Sequence, residues 1–248
     1  MNKSNVLTTT FKTAALVGAF SLFSAVSSHA AFQPLGFPTP EGTAGTLSAL
    51  PIAPVGTLAP GGFLSTSYSD SFGFSGTLNT YVIQTSPGGP LDFYYQLVNT
   101  TPGPDGIVGD EQISRLSVQG GFLGAVMVAQ TNLNPTTLAA LAGTVKIANS
   151  ADRGEPLVTN GNLGFTFPVG AATYTSNLGN VASGQQSNFL VVRTTSTTFT
   201  GATARIGVNG GNQDVGTFAP VPEPSSILFG LGMFGVALTS RAKRRAAK

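Results

Sequence analysis

Period-two alternation is what most limits the folds open to this chain. Leu91, Phe93, Tyr95 and Leu97 alternate with Asp92, Tyr94 and Gln96, and Leu163-Gly164-Phe165-Thr166-Phe167-Pro168-Val169 repeats the grammar. A step of two places each set on one face of a strand. Residues 74–84, 113–119, 125–130, 188–195, 205–208 and 215–218 are further candidates, rich in Val, Thr, Phe and Tyr. These side chains suit a pleated, half-buried surface. Breaks such as Ser86-Pro87-Gly88-Gly89-Pro90 and Asn209-Gly210-Gly211-Asn212 separate them. Many short strands with turns between them predict an all-β fold, a single β-sandwich of immunoglobulin-like or jelly-roll-like type. Helix is scarce: residues 134–141 form one short turn or helix, with Asn134 as cap, Pro135 at the first position and Gly143 past the end.

The two ends of the chain are built differently from the body. At the front, Lys3 and Lys12 precede an apolar run over 14–26, and Ser28-His29-Ala30 supplies small residues at the two positions a signal peptidase reads. That pattern predicts a secretory signal peptide over 1–30, cut after Ala30. Its apolar run is short against the roughly 20 residues a bilayer span needs. Residues 31–60 carry six prolines and read as an extended arm leading into a sandwich over 61–220.

At the back, Pro222-Glu223-Pro224 is followed by the apolar run Ile227–Leu238 and then by Arg241, Lys243, Arg244 and Arg245. The run has no polar stripe, as a globular surface helix would require. A membrane helix over 226–240 is therefore expected, with the basic residues anchoring the tail on the cytoplasmic side. This order of parts over 221–248 resembles the PEP-CTERM sorting signal. The resemblance implies an exported protein of Gram-negative bacteria that make exopolysaccharide. It also implies a transient stay in the inner membrane and processing near Pro222-Glu223-Pro224 by exosortase, a membrane transpeptidase. Residues 91–99, 151–154 and 199–202 are similar to pieces of one recurrent passenger type, which mostly has no assigned activity.

Charge and composition exclude several functions. Between Ala31 and Val221 lie five basic residues, Arg115, Lys146, Arg153, Arg193 and Arg205, and nine acids, so the body is near −4. The basic surplus sits in the two ends, and without a basic patch on the body a nucleic-acid partner is not expected. The chain has no Cys and no Trp, and its one histidine, His29, leaves with the signal peptide. A Ser-His-Asp triad, a Cys-His pair and a zinc site on imidazole or thiolate all fall away. No cofactor is implied and no catalytic residue is assigned.

Three further possibilities are weighed. Asp105, Asp110 and Glu111 crowd a Gly-rich stretch that could offer oxygen ligands to calcium. Yet Thr101 and Gly103 fall where the first acidic ligands belong, and Gln112 falls where a bidentate Glu belongs, so a solvated turn fits better. Asp152, Arg153 and Glu155 read as a local surface ion pair. Tyr94, sharing a face with Asp92 and Gln96, could form a sugar-contacting stripe or pack under a loop. The leading expectation is a structural cell-surface or extracellular-matrix protein without catalysis. A glycan-binding adhesin associated with exopolysaccharide is the first alternative, and a hydrolase built on two carboxylates is the second.

Overall fold

The computed structural model describes residues 32–35, 45–46, 52–69, 74–101, 112–148, 150–153, 161–167, 180–208 and 211–221. Every regular element among them is a strand. In chain order these are β1 (Gln33–Leu35), β2 (Gly45–Thr46), β3 (Thr57–Ser69), β4 (Ser75–Gln84), β5 (Leu91–Asn99), β6 (Ile113–Gln119) and β7 (Val126–Thr131). There follow β8 (Val145–Lys146), β9 (Ser150–Arg153), β10 (Leu163–Thr166), β11 (Gln186–Ser187), β12 (Phe189–Arg193), β13 (Phe199–Val208) and β14 (Gly211–Pro220). The signal helix and the membrane helix expected at the two ends lie outside the described residues.

The first sheet runs β3-β4-β5-β12-β7-β1, with β11 and β8 continuing beside β5 past the end of β12. The second runs β14-β13-β6-β10-β9-β2. Neighbours are antiparallel except β11 with β8. The alternating segments read from sequence are β4, β5, β6, β7, β10, β12, β13 and β14. Within 31–60, β1 pairs with β7, β2 pairs with β9, and β3 begins at Thr57.

β3 is the long strand that sequence alone does not announce. Its first half contains Ala59-Pro60-Gly61-Gly62, and its register against β4 jumps between Leu58 and Phe63. Gly61, at a φ of 69°, takes the left-handed turn there, and Pro60 is tolerated because an edge strand leaves one row of amides unpaired. The 134–141 stretch is a turn. Asn134 Oδ1 accepts from the Thr136 and Thr137 amides at 2.9 and 3.1 Å, and Leu138 adopts a φ of 59°. The chain then bridges back from Leu133 to Ala140.

One apolar cluster lies between the sheets. The first sheet sends in Leu78, Val82, Phe93, Tyr95 and Val192; the second sends Leu116, Val118, Phe165, Ile206 and Val215. Each such side chain, fully buried, contributes about 1.5–3 kcal/mol. The sheets are also tied by polar contacts. Thr80 and Thr217 meet hydroxyl to hydroxyl at 2.8 Å, and the Tyr95 hydroxyl donates to the Phe218 carbonyl at 2.7 Å. β14 lies against β3 as well as β13, so the sheets curl toward each other along that side.

The first sheet is buried on its outer face too. Ile52, Ile83, Tyr94, Ala129, Phe189 and Val191 form a second cluster, with Phe32, Tyr81 and Leu141 packed on it. Of the two readings of Tyr94, packing under neighbouring chain is the one that holds: Asp92, Tyr94 and Gln96 are all buried. The chain's own segments around Phe32, Ile52 and Leu141 cover the face that a one-sided alternation would leave to solvent.

Candidate functional site

β13 and β14 form one long hairpin, in register from Val208 opposite Gly211 to Phe199 opposite Pro220. Its last rung brings Pro220 beside the 194–198 turn. That turn is fastened to the start of β5, because the Leu91 amide donates to Ser196 O at 3.0 Å and the Thr194 amide donates to Leu91 O at 3.2 Å. The Val221 amide donates to Thr198 O at 3.1 Å. The Ser196 hydroxyl lies 2.9 Å from the carbonyl oxygens of both Val221 and Thr198, so its one proton is shared between them. Behind the strand, Gly121 holds a φ of 82°, and a Cβ there would overlap the Pro220 carbonyl oxygen. Residues 121–126 and 194–196 thus leave a shallow depression with Pro220 and Val221 on its rim.

The chain is therefore held up to Val221, and Pro222 follows at once. Pro222, Glu223 and Pro224 themselves lie outside the described residues. So do Ala30, the tail anchors Arg241, Lys243, Arg244 and Arg245, and the calcium candidates Asp105, Asp110 and Glu111. The holding residues Ser196, Thr198 and Gly121 were not singled out from sequence. Ser196 is 25 positions from Val221, and only the Gly120-Gly121 pair hints at a special backbone.

The described carboxylates all face arginines. Asp92 takes Arg193 in a forked pair, with Nη2 to Oδ2 at 2.7 Å and Nε to Oδ1 at 2.9 Å. The Asp92 side chain is fully buried while that of Arg193 is 36 % exposed, its guanidinium carbon 3.9 Å from the Phe32 ring centroid. Burial pushes the Asp92 carboxyl above the usual carboxylate range, and the hydrogen bonds and charge of Arg193 pull against that shift. Arg193 is in turn raised, chiefly by its hydrogen bonds to Asp92.

Asp152 is corrected from a local pair within 152–155. It is buried and takes a bidentate contact from Arg115 on β6, at 2.7 and 2.6 Å, while Arg115 also donates to Thr166 Oγ1 at 2.8 Å. The register explains this: β10 lies between β6 and β9, and Gly164, opposite both Ser117 and Asp152, has no side chain to block the reach. Arg205 and Asp214 pair across the exposed face of the hairpin at 2.8 and 3.0 Å, and the Arg205 hydrogen bonds hold the Asp214 carboxyl below its ordinary range.

Three buried tyrosines, Tyr68, Tyr94 and Tyr95, offer no proton traffic near neutrality. Burial raises the hydroxyls of Tyr68, Tyr94 and Tyr95, with the Asp92 charge adding to the rise at Tyr94. Among the described residues no three His, Cys, Asp or Glu side chains gather as a metal site would require.

Comparison with curated proteins and with solved structures finds no match. The family model of the PEP-CTERM protein-sorting motif matches residues 220–245, so this chain carries that sorting signal, and the signal starts on the last residue of β14.

Proposed function

We propose that this chain is a structural protein of the cell surface or extracellular matrix, delivered there through its sorting signal and performing no catalysis itself. The PEP-CTERM motif supports export and processing by exosortase. In this reading signal peptidase removes residues 1–30 after Ala30. The 226–240 helix then holds the chain in the inner membrane, with Arg241, Lys243, Arg244 and Arg245 on the cytoplasmic side. Cleavage near Pro222-Glu223-Pro224 frees a body that we read as a β-sandwich, immunoglobulin-like or jelly-roll-like, because both sheets feed one core. The prolines keep the segment extended and so open to a protease.

The observation that carries the non-catalytic part is the pairing of the acids. Asp92, Asp152 and Asp214, the carboxylates of the described residues, each lie against an arginine. A hydrolase of the two-carboxylate kind needs one free acid and one free base facing a substrate. With Tyr94 buried, the stripe that suggested a glycan-binding adhesin is also taken up by packing.

The test is the substitution Glu223→Ala in the native host, followed by the mass and location of the protein. Loss of the shortened form, with the longer chain retained in the membrane, is expected. An unchanged mature mass in the medium removes the sorting role of the motif.

A further inference from the structure

The chain leaves the body through a clamp. Pro220 closes the β13–β14 ladder opposite Phe199, and the next residue, Val221, has both of its backbone polar groups engaged. Its amide donates to Thr198 O at 3.1 Å, and its carbonyl oxygen faces the Ser196 hydroxyl at 2.9 Å. Ser196 is buried, and its place is fixed independently of Val221. Its own amide donates to Thr194 Oγ1 at 3.2 Å, and its carbonyl accepts from the Leu91 amide at 3.0 Å. Thr194 donates in turn to Leu91 O through its amide and its hydroxyl, both at 3.2 Å. The serine is therefore held by β5, inside the first sheet, while the residue it holds follows the edge strand of the second.

Cleavage makes demands on those same groups. The carbonyl carbon of the bond that breaks takes a nucleophile, its oxygen gains negative charge and needs donors from the enzyme, and the amine beyond it departs with a proton. An extended peptide is gripped through its main-chain N–H and C=O groups. In the folded body both groups of Val221 are already committed, the oxygen to Ser196 and the amide to Thr198. Bonds farther upstream lie within the β14 ladder, and reaching them requires local unfolding of the hairpin. Pro222 carries the first carbonyl beyond the clamp.

We propose that Ser196 is a positioning residue for the processing step. Together with the Thr198 carbonyl it sets the upstream limit of the cut, so that Val221 and Pro222 stay on the mature chain and the bond that breaks is the one after Pro222 or one farther along. The motif marks a region, and the clamp decides where the usable bonds in that region begin. Ser196 acts through Val221 and touches no reacting atom. The proposal rests on the processing argued above, and the experiment separates the two.

A proline just beyond a bond hinders most proteases by itself, so the clamp is read in the Pro222→Ala chain. The full chain with that change, in detergent, is treated briefly with proteinase K, and the resulting C-terminal ends are read by mass spectrometry. Ends at position 222 or beyond are expected. Adding Ser196→Ala is expected to speed cutting between 221 and 222 several-fold while cutting elsewhere in the body keeps its rate. Equal rates at that bond with and without the serine hydroxyl overturn the role of Ser196. Where Ser196→Ala is digested throughout, the unaltered chain recovered from the native host decides. A mature end at Pro222 or later supports the limit, and an end at Val221 or earlier overturns it. A chain that the host never shortens overturns the processing reading and this proposal with it, even where proteinase K finds the clamp closed.

Discussion

The hydroxyls of Thr80 and Thr217 meet 2.8 Å apart in the buried interior, and they join strands from different sheets. Neither group reaches water, so each depends on the other. Replacing one by Val leaves a buried hydroxyl unpaired and costs about 1–3 kcal/mol, whereas Thr80→Val with Thr217→Val removes both polar groups and comes close to neutral. Urea unfolding of the two single variants and the double variant checks this. Additive losses in the double variant contradict the coupling.

The Arg193 and Asp92 pair is lopsided, and its two halves respond differently. Removing the arginine strands a fully buried carboxylate, so Arg193→Leu loses about 3 kcal/mol at neutral pH. Asp92→Asn leaves a cation that still reaches water and the Phe32 ring, and loses about 1 kcal/mol.

The pH dependence has a definite sign. Without Arg193 the Asp92 carboxyl, already raised by burial, rises further, so the native state holds its proton more tightly than the unfolded chain does. The stability of Arg193→Leu is then best in acid and falls as pH rises through the native pKa, so unfolding at about pH 4 shows a smaller deficit against wild type than at about pH 8. Equal deficits at the two pH values contradict the assignment.

Gly121 backs directly onto Pro220, with a φ of 82°. Gly121→Ala meets both strain and overlap, and costs about 1–3 kcal/mol through the strained conformation alone. The loss should concentrate at the chain's exit. Hydrogen exchange is expected to speed up at Val221, whose amide is held by Thr198, before it changes in the β4–β5 ladder. Uniform acceleration across both sheets contradicts a local role for this glycine.

Calcium is expected to leave the protein's melting temperature unchanged. Asp105, Asp110 and Glu111 are close in sequence, but Thr101, Gly103 and Gln112 occupy positions where a calcium loop needs acidic ligands. Thermal melts with and without submillimolar calcium decide this, and a clear upward shift reverses the reading.

Local pattern determines much of this protein. The alternation of Leu91, Phe93, Tyr95 and Leu97 places a strand because neighbouring side chains point to opposite faces whatever surrounds them. The sorting signal is legible for a similar reason: Pro222-Glu223-Pro224, the apolar run and the basic residues are contiguous, as a processing enzyme and a membrane must meet them. β3 escapes notice because Pro60-Gly61-Gly62 resembles a break, and only pairing with β4 turns it into a bulge.

What covers a strand's second face, and which charge meets which, depends on chain that is distant in sequence. Tyr94 is buried by Phe189, Ile52 and Leu141 rather than left open, and Asp152 takes Arg115 across a glycine on β10. The hold of Ser196 on Val221 belongs to the same class, since burial and hydrogen bonding are properties of proximity, and proximity here arises only when the two sheets close on their common core.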